Sequence, residues 1–201
     1  MHGLHCIPAL VACLVLAGCT DSPSAPAAPD RSTEPTADST AVQFDQALHD
    51  ELVAMARRDQ TGGGRETADD RIERLKAIID EHGWPTIDLV GKDGEDAVWL
   101  IAQHADLDPQ FQQQALELLR DAVEAGEASP GNLAYLEDRV AVANGLPQVY
   151  GTQIQCGRNG PVSSTPIEDA AGVDERRSEA GLEPLSDYLD ETTQICSEGH
   201  H

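Results

Sequence analysis

The sequence predicts a mainly α fold: a single-domain helical bundle with a small β-hairpin near the C-terminus. Three observations point there. Successive segments between residues 44 and 143 place apolar residues at i, i+3, i+4 and i+7, the period of helices with one buried face. Capping and stop residues punctuate those segments. After Pro147 the period shifts to alternation, and Arg158-Asn159-Gly160-Pro161 reads as a tight turn between two strands.

In chain order, the first stretch belongs to no fold. Ile7 to Ala17 is an apolar run with the length of a signal-peptide h-region, too short to span a membrane. From Thr20 to about Ala41 the chain is rich in Pro, Ser, Ala and Asp, the composition of a disordered tether spanning roughly 25–30 Å. The portion 42–201 has the size of one ordinary domain. Aromatic residues make up only 3%, so its core must be mostly Leu, Ile, Val and Ala.

Phe44, Leu48, Leu52 and Met55 mark the face of a first helix that ends near Arg58-Asp59-Gln60, before Gly62-Gly63-Gly64. Ile72, Leu75, Ile78, Ile79 and His82 mark a second, stopped by Gly83 with Pro85 beyond. A connector follows, with a short extended piece at Ile87-Asp88-Leu89-Val90. The third helix runs to Ala105. Ala97, Leu100, Ile101 and His104 share its stripe, so the histidine is expected to face the core. Asp108 and Pro109 are a fitting N-cap and N1 for a fourth helix through Phe111, Ala115, Leu118, Leu119 and Ala122. Ser129-Pro130 repeats that opening for a fifth, with Leu133, Leu136, Val140 and Ala143 inward. Val149 to Cys156 then reads as a strand, and Val162 to Ile167 as its return, demoted to an edge by Pro161 and Pro166. Asp174 can cap a short helix to Gly181, and Pro184 opens a last one.

Charge removes whole classes of partner. With 13 Lys and Arg against 36 Asp and Glu, the net charge is −23. Such a surface repels a phosphate backbone, so no nucleic acid is expected, and it repels anionic headgroups too. Its plain consequence is solubility.

The candidate chemistry is sparse. His104 can act as a general base, with Asp59, Asp106 or Asp138 as its carboxylate; equally, it can be a half-buried histidine bonded near a helix end. Arg139 offers either a bidentate fork for an anion or a structural pair, and Arg176 and Arg177 offer the same choice. In Tyr150-Gly151-Thr152-Gln153 the glycine marks either a close approach by a ligand or another backbone, or a simple bulge, and alternation would put Tyr150 and Thr152 on one face and Gln148 and Gln153 on opposite faces. No Cys-x-x-Cys, His-Glu-x-x-His, phosphate loop or Gly-x-Ser-x-Gly occurs. No metal or cofactor is implied, and Cys196, His200 and His201 read as a terminal tail.

Leu16-Ala17-Gly18-Cys19, directly after the apolar run, resembles the lipobox of bacterial lipoproteins. The resemblance implies cleavage after residue 18, a lipid on Cys19 and attachment to the cell envelope from outside the cytoplasm. Thr20 in place of Asp implies the outer membrane where the host has one. Cys6 and Cys13 would leave with the signal, so Cys156 and Cys196 remain as an even pair in an oxidising compartment. A disulfide there closes a loop worth about 4 kcal/mol in the chain-entropy model; two separate thiols are the alternative.

A second resemblance covers about residues 45–190. Gly83-Trp84-Pro85, Leu89-Val90-Gly91, Gln103-His104-Ala105-Asp106, Ala134-Tyr135-Leu136-x-Asp138-Arg139-Val140, Gln148-x-Tyr150-Gly151-Thr152-Gln153 and Val173-Asp174-x-Arg176-Arg177 are similar to one bacterial domain family of unknown function. Its pattern also touches Asp59-Gln60. The polar members Gln60, Arg139, Tyr150, Thr152, Gln153 and Arg177 are thereby the candidate ligand contacts, and His104, Asp138 and Asp59 the candidate catalytic ones. The expected function is a membrane-tethered extracytoplasmic domain, monomeric, that binds a small molecule or a protein. The alternative is an extracytoplasmic hydrolase using His104 with a carboxylate.

Overall fold

In the computed structural model the described residues are 42–62, 66–158 and 160–198. The signal segment, Cys19, the tether, Gly63-Gly64, Asn159, His200 and His201 lie outside them.

Helix α1 (Gln46–Thr61) starts at Asp45, whose carboxylate accepts from the N–H groups of Ala47 and Leu48. Phe44 therefore precedes the helix and is exposed, while Leu48, Leu52 and Met55 are buried as the stripe predicts. α2 (Ala68–His82) opens on a capping box between Thr67 and Asp70 and stops at Gly83, where φ is +70°. α3 (Ile87–Gln103) begins earlier than expected: Ile87 to Val90 is its first turn, capped by Thr86, and no extended piece forms. The reason is Gly91. At φ 73° and ψ 167° it breaks the helix without ending it, so its sequence neighbours look like a connector. α4 (Pro109–Glu124) and α5 (Pro130–Ala143) open on Asp108-Pro109 and Ser129-Pro130 as expected.

α3 is the central element, packed against α1, α2, α4 and α5. Val90, Ala97, Val98, Ile101 and Ala102 on it meet Leu52, Met55, Leu75, Ile78, Phe111, Leu119 and Leu136 in one core. The buried residues of α5 are Ala134, Leu136 and Asp138; Leu133 and Val140 are half-buried, and Ala143 is exposed. This departs from a single inward stripe because α5 is covered on two sides, by the bundle and by the loop at 148–153.

The strand expected from Val149 forms only over its last part. β1 (Ile154–Gly157) pairs antiparallel with β2 (Gly160–Ser163) in register Ile154↔Ser163 to Gly157↔Gly160. Residues 148–153 are a buried irregular loop, and Gln148 makes an isolated bridge to Ile167. After a 3-10 turn, α6 (Val173–Glu179) forms without a side-chain cap. Asp174 instead accepts from the N–H of Leu185, and so closes the start of α7 (Leu185–Glu198) rather than its own helix. Cys156 and Cys196 form a disulfide with Cα atoms 5.4 Å apart, tying α7 to the hairpin. Among the described residues, no helix is long and apolar enough to cross a membrane.

Candidate functional site

His104 does not face the core. α3 ends at Gln103, and at φ −92°, ψ 5° His104 leaves the helical path, so its side chain emerges at the surface, 42% exposed. It turns back to the end of α1, where Nδ1 lies 2.5 Å from Asp59 Oδ2. An ionised carboxylate can only accept, so Nδ1 carries a proton, and in the neutral ring Nε2 keeps the lone pair. Asp59 is itself fixed. Arg71 Nε and Nη2 both donate to Asp59 Oδ1, at 3.2 and 3.0 Å, and Arg71 Nη1 reaches Glu66 O. The side chains of Asp59 and Arg71 are each only 9% exposed. A buried carboxylate thus holds an exposed imidazole in one tautomer.

Beside it stands a second ion pair. Arg139 on α5 donates through Nε and Nη2 to the two oxygens of Asp106, and through Nη1 to Gln153 Oε1 at 3.1 Å. Burial pushes the Asp106 carboxyl up. The hydrogen bond and charge of Arg139, with help from Gln112 and His104, outweigh that and hold it below the ordinary carboxylate range. Gln112 also donates to the carbonyls of Ala102 and Gln103, closing the end of α3.

The other candidates gather elsewhere. Asp138 is fully buried, and its carboxylate accepts from the N–H groups of Val149, Tyr150 and Thr152 and from the Thr152 hydroxyl. Its role is to hold the 148–153 loop on α5, and it does not orient His104. Arg177, also fully buried, donates to Tyr150 O and Glu183 O and lies under the Tyr188 ring. Arg176 donates to Val149 O and Glu168 O. Gly151 sits at φ +70°, and a Cβ there would lie 2.6 Å from Ile167 Cδ1 and 3.2 Å from Leu185 Cδ1. The close approach it permits is to the Ile167 and Leu185 side chains of its own chain, in a loop that precedes β1. Gln60 lies apart again, in a cleft of about 370 Å³ between α1 and α3. The candidates form two clusters, an exposed edge at His104 and a buried knot at Asp138, joined through the Arg139–Gln153 bond.

Sequence reasoning missed Arg71 and Gln112, and it named Gln148 in the family pattern without giving it a role. Gln148 is fully buried: its amide donates to Gln153 O, Ser163 Oγ and Thr165 O, and its Oε1 accepts from Gln153 N. It also missed Glu95, buried on α3 between Trp84 Nε1 and Asn132 Nδ2. A signal for Glu95 existed, since it lies three and seven residues before Val98 and Ala102 on the buried stripe. Among the described residues, no group of three or more His, Cys, Asp or Glu could hold a metal ion.

The fold and this edge define a mainly α domain with a carboxylate-held surface histidine. The chain belongs to the family of unknown function DUF6624, whose model matches residues 60–195. His104, Arg139 and Gln153 fall inside that match, and Asp59 lies one residue before it. No curated protein and no solved structure matches the chain.

Proposed function

We propose that this chain is a lipid-anchored, extracytoplasmic domain whose working group is the His104 imidazole, used as a general base on a ligand held at the surface around it. One observation supports the chemistry above all: Asp59, forked by Arg71, takes the Nδ1 proton of a ring that is 42% exposed, so that in the neutral imidazole Nε2 is the nitrogen able to accept. Hydrolysis is the reaction this suits without a nucleophilic side chain. Nε2 takes a proton from water as its oxygen attacks an electrophilic carbon or phosphorus, and the same proton then passes to the leaving group. The lipid anchor rests on Leu16-Ala17-Gly18-Cys19 and the tether that follows.

Binding without turnover is the second reading, and a specific feature favours it. Arg71 is already paired with Asp59 and Arg139 with Asp106, so both positive charges beside the imidazole are compensated before any charge develops on a bound ligand.

The test assays the purified protein against ester, amide and phosphodiester substrates, beside His104→Gln and Asp59→Asn. The enzyme reading expects a turnover that both substitutions abolish while the His104→Gln melting temperature stays within a few degrees. Ligand capture lost in His104→Gln with no turnover in any class selects the binding reading. An activity indifferent to His104→Gln refutes both. For the anchor, Cys19→Ala should move the protein out of the membrane fraction, and a mutant that still sediments like the wild type refutes the lipid.

A further inference from the structure

A cleft of about 510 Å³ lies where α3, the start of α5 and the turn after α6 come together. Trp99 and Tyr135 form part of its wall, meeting edge to face with centroids 5.8 Å apart, and Asn132, Ser178 and Glu179 supply polar groups. Neither His104 nor Asp59 lines it.

Two details show that its polar groups are prearranged. Asn132 Nδ2 donates to both Glu95 Oε2, at 3.0 Å, and Asp96 Oδ1, at 2.8 Å. The two bonds from Nδ2 fix which way the amide faces, so Asn132 Oδ1 is held as an acceptor. Trp99 Nε1, meanwhile, is out of solvent and donates to no protein acceptor. A buried donor without a partner is unfavourable, and a phenylalanine would fill the wall without it. Trp99 also lines the 370 Å³ cleft on the α1 side, so one indole forms a wall of both.

We propose that this cleft is a second binding site, distinct from the His104 edge, and that it takes an uncharged saccharide unit. A sugar ring offers an apolar C–H face to lie against Trp99 and Tyr135. Its hydroxyls are donors and acceptors at once, and they match Asn132 Oδ1, the Ser178 hydroxyl and the Glu179 carboxylate. The cleft's basic residue, Lys92, is already paired to Asp96 at 2.7 Å, and the chain's net charge is −23. Both count against an anionic ligand.

Calorimetric titration tests this, with maltotriose, cellotriose and triacetylchitotriose as neutral probes and trigalacturonate as the anionic one. At least one neutral trisaccharide should bind saturably. Trp99→Leu and, independently, the exposed Glu179→Ala should each weaken it about tenfold or more, with melting temperatures preserved. His104→Gln should leave it unchanged, which separates this site from the histidine edge. Should Trp99→Leu fail to fold, Glu179→Ala and His104→Gln decide the matter. The proposal is overturned if no neutral probe binds, if binding survives the cleft substitutions, if it is lost with His104, or if trigalacturonate binds as tightly.

Discussion

Glu95 should contribute a share of this domain's stability that falls as pH rises, and substituting it isolates the effect. The carboxyl is fully buried on α3, with Trp84 Nε1 at 3.4 Å and Asn132 Nδ2 at 3.0 Å. Burial lifts it from 4.5 to about 7, against the hydrogen bonds of Asn132 and Trp84 and the charge of Lys92; nearby Asp96 adds to the rise. The sign follows from linkage. Between these two values the folded protein keeps a proton that the unfolded chain has lost, so unfolding free energy declines with pH. The contribution is complete below pH 4.5, declines between 4.5 and about 7, and is gone above. At about 1.4 kcal/mol per pH unit, that interval amounts to roughly 3 kcal/mol. Glu95→Gln keeps the shape and the acceptor but cannot ionise. Urea unfolding of both proteins from about pH 5 to pH 8 should give difference curves that diverge by roughly 2–3 kcal/mol, the glutamine variant gaining toward high pH. Every other group is common to both proteins and cancels in the difference. A difference that stays flat across this range would refute the reasoning.

Other perturbations should be as direct. Reducing the Cys156–Cys196 bond, or Cys196→Ser, should remove about 4 kcal/mol and lower the melting temperature by roughly 10 °C; a scan unchanged by reductant would show that the cross-link restrains nothing the fold does not. Asp138→Asn sets an N–H₂ group where three backbone N–H groups and the Thr152 hydroxyl converge. Urea unfolding should register a loss of about 3 kcal/mol or more, and a near-neutral result would mean that the 148–153 loop is held by other contacts. Gly151→Ala meets both a positive φ and Ile167 Cδ1 at 2.6 Å, so a loss of about 1–3 kcal/mol is expected in the same assay.

What could be read from the chain were features whose cause is local. Asp108-Pro109 and Ser129-Pro130 each specify a helix start by themselves, and both helices begin there. Leu48, Leu52 and Met55 show their burial in their spacing. Non-local causes were hidden. Nothing near Asp59 announces that Arg71 will reach back from α2, or that α3 will end one residue short of His104 and turn the ring outward. The strand expected at Val149 failed because its N–H groups found the Asp138 carboxylate, an acceptor eleven residues away that no alternation pattern encodes. Polar recurrence singled out Tyr150, Thr152, Gln153 and Arg177, but residues kept polar to close a loop look like residues kept polar to meet a ligand.

The break at Gly91 has a mechanical consequence. By interrupting the helix it frees carbonyls that α1 takes up: Asp45 N–H donates to Leu89 O, and His49 Nδ1–H to Val90 O at 2.7 Å. Just upstream, Ile87 N–H is tied to Glu127 O in the turn after α4. A pull on the chain at residue 42 therefore does not peel α1 away one bond at a time. It has to break the Asp45 and His49 bonds to α3 as well, so the start of α1 is anchored to the middle of the bundle rather than left to fray.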